Sequence, residues 1–90
     1  MIDIPNNAQL SGMVLFGTSE MMVGLASSQW LRISLSAFPL LQSLSEDELL
    51  DYQLEGNRTY LHWRGTEITI SLQDLANSAT SIEDGDEGPN

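Results

Sequence analysis

The stretch from Thr59 to Leu72, TYLHWRGTEITISL, alternates apolar and polar residues on either side of one Gly65-Thr66 pair, and this constrains the chain more than anything else in it. A two-residue loop with glycine first suits a type II′ hairpin, so the turn sets the register of the strands beside it. Trp63 then faces Ile68, Leu61 faces Ile70 and Thr59 faces Leu72 on one side, while Arg64 faces Glu67, His62 faces Thr69 and Tyr60 faces Ser71 on the other. The first set is apolar or Thr and the second polar or amphipathic. A slip of one residue would turn the whole apolar set to water, so pattern and turn support one register. Leu61, Trp63, Ile68 and Ile70, with Leu35, are the expected core.

Upstream, Leu10 to Phe16 and Met21 to Ala26 are apolar runs separated by the turn Gly17-Thr18-Ser19-Glu20, and Ser27-Ser28-Gln29 breaks the pattern before Trp30 to Leu35. Three antiparallel strands are expected. The third alternates cleanly, whereas the first two carry apolar residues at both parities, so both faces of that hairpin want cover. Phe38-Pro39 marks a boundary followed by a short helical turn through Leu40 and Leu41. Ser45-Glu46-Asp47-Glu48 is a capping box, which predicts a helix to about Tyr52 with Leu44, Leu49 and Leu50 on its buried side. The turn Glu55-Gly56-Asn57 leads into the second strand pair, and Gln73 to Asn77 suits a helical turn. The expected fold is α+β: a small antiparallel sheet of two hairpins and four to five strands, with one or two short helices near residues 38–52. Residues 1–77 are read as a single domain. Residues 78–90 lose apolar content and carry Glu83, Asp84, Asp86 and Glu87, and are expected to be a disordered acidic tail.

Composition narrows the function classes. The chain has 90 residues, 41% hydrophobic and 18% charged, enough for one small core and too few for a large enzyme scaffold. The absence of cysteine removes disulfides, thiolate zinc sites, iron–sulfur clusters and a cysteine nucleophile, and favours the cytoplasm. Met1 to Asn7 lacks the charge and apolar run of a signal peptide, and no stretch has the roughly 18 apolar residues of a membrane span. Arg32, Arg58 and Arg64 are the only basic residues besides His62, against thirteen acidic ones, for a net charge of −10. Such a surface repels phosphate backbones, so neither nucleic acid nor membrane is an expected partner.

The segment WLRISLSAFPLLQSLSEDELLDYQLEGNRTYLHWRGTEITISLQDL, Trp30 to Leu75, resembles a family of small bacterial proteins known as domain of unknown function 2442. The resemblance lies in the order of a strand running into Phe38-Pro39, the acidic helix Glu46 to Asp51, a Tyr-containing strand Tyr52 to Leu54, the Leu61-His62-Trp63 strand and the closing Ile68 to Leu75. With Gln9 to Ala26 suiting the family's first hairpin, it extends over roughly residues 9–75. Where that family commonly has an acidic cluster after the tryptophan, this chain has Arg64-Gly65-Thr66-Glu67. The resemblance implies an α+β fold and no established activity. Its members look like neighbours of small toxin-like proteins, sometimes placed before a helix-turn-helix domain, which implies antitoxin or regulatory partners reached by contact.

Candidate chemistry is thin. His62 beside Tyr60, Arg64 and Glu67 has the residue types of a base with an orienting acid, but no nucleophile, second histidine or paired carboxylates accompany it, and no catalytic site, metal site or cofactor is expected. Arg64 and Glu67 suit a cross-strand ion pair. Candidate partner contacts are Tyr60, His62 and Arg64 on one strand face, and Trp30 and Arg32 with the adaptable Met21 and Met22 on another. Glu83, Asp84, Asp86 and Glu87 are candidate tail contacts for a basic groove. The expected function is a non-catalytic protein-interaction module, antitoxin-like or a small regulatory adaptor, binding a basic protein, with a toxin-like protein as the candidate. The alternatives are a self-associating homodimeric domain and, third, a small enzyme using His62.

Overall fold

The computed structural model describes residues 4, 5 and 7–84. Its strands are β1 (Leu10–Phe16), β2 (Glu20–Leu25), β3 (Gln29–Ser34), β4 (Tyr52–Glu55), β5 (Tyr60–Trp63), β6 (Thr69–Ser71) and β7 (Ala79–Asp84). Its α-helices are α1 (Pro39–Gln42), α2 (Glu46–Leu49) and α3 (Leu72–Ser78), with a 3₁₀ turn at Leu35–Ala37. The strands form two antiparallel sheets, one ordered β1-β2-β3-β7 and one ordered β4-β5-β6. The α+β class stands, but the single sheet of four or five strands becomes two sheets of four and three, because β4 joins the β5–β6 hairpin and β7 returns to the first sheet.

The β5–β6 register is the expected one, with Tyr60 opposite Ser71, Leu61 opposite Ile70 and His62 opposite Thr69. The turn itself is shifted by one residue. Thr66 N–H bonds the Trp63 carbonyl, so Gly65, at φ +79°, occupies the third turn position, where type II geometry needs a positive φ. The Thr66 hydroxyl completes the loop by accepting from Ile68 N–H at 3.0 Å.

In the first sheet Met21 lies opposite Ile33 and Val23 opposite Leu31, so these four side chains turn inward. They are fully buried with Leu10, Leu41, Leu61, Trp63, Leu75 and Ala76 in one continuous core. Trp63 donates its indole N–H to the Leu49 carbonyl at 3.0 Å, which ties α2 to the second sheet. The capping box forms as expected, with Ser45 accepting from Glu48 N–H and the Glu48 carboxylate accepting from Ser45 N–H. The helix is a single turn, and Leu50, expected on its buried side, lies beyond its end at 64% exposure.

The expectation of a disordered tail from residue 78 fails for 78–84. Ser78 ends α3, and β7 then pairs along β3 with Ile82 opposite Leu31 and Ala79 opposite Ile33. Ala79 and Ile82 are three residues apart, the wrong spacing for one strand face, and the pairing shifts by one residue between them. The extra residue restores the face and hides the strand from a period-two reading. Asp86 and Glu87 lie outside the described residues.

Candidate functional site

The inward turn of Met21, Val23, Leu31 and Ile33 sends their neighbours to the outer face of the first sheet. Leu15, Met22, Arg32 and Ser81 form one row across it, and Gly24, Trp30 and Glu83 form the next. Trp30 lies over Gly24, where an added Cβ would come within 3.3 Å of the indole. Met22 and Trp30 are half-buried without packing on the core, and Met13 and Leu15 are more than half exposed. Trp30, Arg32 and Met22 therefore share a surface, as the expected contact set requires. Met21 does not: it is fully buried, because the β2–β3 register places it against Ile33.

Arg32 organises the polar part of this face. Its guanidinium donates to Glu83 at 2.8 Å and to Glu20 at 2.7 Å, joining β2, β3 and β7. The hydrogen bond from Arg32 holds the Glu83 carboxyl below its usual range, and both carboxylates hold the guanidinium above its own. Glu83, expected in a free tail, is thus the outer anchor of β7.

The second expected patch is divided. His62 Nδ1 shares a hydrogen bond with Thr69 Oγ1 at 2.9 Å, and Tyr60 is 43% exposed beside a cleft of about 200 Å³ lined also by Ser71 and Gln73. Arg64 does not pair with Glu67. It binds Asp51 at 2.6 Å, because β4 runs along β5 with Tyr52 opposite Trp63 and so brings Asp51 next to Arg64. His62 is held by Thr69 rather than by Glu67 or Tyr60, and among the described residues no acid is hydrogen-bonded to it. Among the described residues no three His, Asp or Glu side chains are grouped to hold a metal ion.

A third feature was not singled out from the sequence. A groove of about 330 Å³ runs between the edge of β1 and the end of α2, lined by Val14, Leu15, Phe16, Glu46, Leu49 and Leu50. The signal available was the doubled parity of the first hairpin, which left Leu15 without a place in a one-sided sheet. Comparison of the chain with models of known protein families, with curated proteins and with solved structures gives no match. The resemblance to domain of unknown function 2442 thus rests on the residues quoted for it. No helix among the described residues is long and apolar enough to cross a membrane.

Proposed function

We propose that this chain is a non-catalytic, cytoplasmic protein-interaction module, of the antitoxin-like or adaptor kind, that binds a basic protein through the outer face of its four-stranded sheet. The observation that supports this reading is the uncovered apolar strip of Met13, Leu15, Met22 and Trp30 on a chain of net charge −10 without a lysine. Contiguous apolar surface with a polar rim is the usual mark of an interaction site, and tryptophan and arginine are common anchors in one. Electrostatics argue for a basic partner over a second copy, which would bring ten more surplus negative charges to the contact. A photo-crosslinking side chain placed at Met22 in the native cell tests the reading. A crosslink to a basic protein is the expected result. A crosslink to a second copy would replace it with the homodimer reading, and a His62→Ala variant that lost a measurable turnover while keeping its fold would replace it with an enzyme.

A further inference from the structure

The bonding phase of β1 divides its outer edge into a closed half and an open half. Ala26 N–H bonds the Gln9 carbonyl and Gly17 N–H bonds the Glu20 carbonyl, so in the antiparallel ladder Leu10, Val14 and Phe16 turn their N–H groups away from β2. The Leu10 N–H is taken by the Arg58 carbonyl at 2.8 Å. The Val14 N–H is taken by the Tyr52 hydroxyl at 3.1 Å, which also donates to the Gly12 carbonyl. Between those two positions the register shifts and Gly12 stands at φ +103°, a bulge that closes this part of the edge to pairing. Past the bulge, no acceptor among the described residues meets the Phe16 N–H.

Val14-Leu15-Phe16 carries neither charge nor proline, the devices that ordinarily blunt a strand edge, and it opens directly onto the 330 Å³ groove. Leu15 and Leu50 stand 52% and 64% exposed at that groove. Glu46 lines it, with Asp47 and Glu48 following in the same helical turn. Among the described residues no arginine meets these three carboxylates: Arg32 pairs with Glu20 and Glu83, Arg64 pairs with Asp51, and no ion pair joins Arg58 to any of the three. We infer that the Val14–Phe16 edge and its groove take an extended segment of the partner protein as an added strand, one that alternates apolar with lysine or arginine side chains. Main-chain bonds to the Val14 carbonyl and the Phe16 N–H supply register, the Val14 N–H staying with Tyr52, while the apolar side chains fill the groove and the cations meet Glu46 to Glu48. This rests on the proposed function and names where and how a basic partner is held. A second copy fits the slot poorly, because LSGMVLF brings no cation to it.

The test is a titration of the full-length, isotopically labelled chain with a peptide of about seven residues alternating leucine and lysine, followed by amide shifts and hydrogen exchange. The leucine–glutamate counterpart serves as control. Saturable shifts at Val14–Phe16 and Leu49–Leu50 are expected, with slowed exchange of the Phe16 amide. Glu46→Lys and Leu50→Lys, both at exposed positions, should each weaken binding about tenfold or more with unchanged melting midpoints, and Glu46→Gln should weaken it less. Shifts confined to Met22 and Trp30, with Phe16 exchange unaltered, would overturn the strand slot and leave the basic-partner reading standing. No binding of the lysine peptide, or equal binding of its glutamate control, would overturn both. Protection of Phe16 without peptide, rising with protein concentration, would give the slot to a second copy and overturn the inference.

Discussion

Trp63 shows how much one side chain carries. It is fully buried, its N–H is satisfied by the Leu49 carbonyl, and its ring lies 6.3 Å from that of Tyr52 at 57°. Truncation leaves a cavity between α2 and the second sheet, so Trp63→Ala should cost about 3–5 kcal/mol in urea denaturation, a large share of a small domain's stability. An unchanged midpoint would place the ring outside the core. Arg58 acts in the opposite direction. It closes a run of left-handed residues, Gly56, Asn57 and Arg58, at φ +60°, +60° and +66°, a conformation that costs a bulky L-residue roughly 1–2 kcal/mol. Its carbonyl, which receives Leu10 N–H, is retained by any residue at that position. Arg58→Gly is therefore expected to stabilise the fold by about 0.5–1 kcal/mol, after the entropy glycine adds to the unfolded chain, and a lower melting midpoint would refute this.

At the scale of elements, β7 and its tie to Arg32 are the most exposed to test. A chain ending after Ser78 loses Ile82 opposite Leu31 and leaves β3 as a bare edge flanked by apolar residues. It should melt at lower temperature and aggregate more readily, as size-exclusion chromatography would register. Had those residues been a solvated tail, the midpoint would not move. Acid addresses the same contact. The carboxyl of Glu83 is held below its usual value by the hydrogen bond from Arg32, so its contribution is present above the ordinary glutamate pKa of about 4.3 and is lost as pH falls through its lower folded value. The difference in melting midpoint between the native chain and Glu83→Gln should therefore be widest near pH 6 and close as pH drops toward 3. A difference that grows toward low pH would mean the ion pair does not hold the strand.

For the whole molecule, the net charge of −10 acts at a distance that no single contact reaches. If it steers a basic partner, association should slow several-fold between about 0.05 and 0.5 M salt, as the screening length falls from above 10 Å to well below it, while dissociation changes less. Stopped-flow kinetics separate the two rates. Salt-independent association would assign recognition to the apolar strip alone.

The register of the Tyr60–Ser71 hairpin, its inward Leu61, Trp63 and Ile70 and the Ser45–Glu48 capping box were legible in the chain itself, because each rests on residues within about fifteen positions of one another, the first two on an alternation that holds although the turn formed one residue earlier than expected, the third on cap chemistry. Trp30 and Arg32 on one outer face followed from alternation alone. Only the tertiary structure decided that Met21 goes inward while Met22 stays out, since apolar residues at both parities leave the facing strand to choose. It likewise decided that Arg64 meets Asp51 and that Ala79–Asp84 is a strand, because both depend on pairings that join distant segments, the second through a shift that breaks the twofold period. The open edge at Phe16 was out of reach for the same reason: a backbone N–H is free or filled according to what lies beside it in space, and in this chain the hydroxyl of Tyr52, far along the sequence, marks where the filled part of the edge ends.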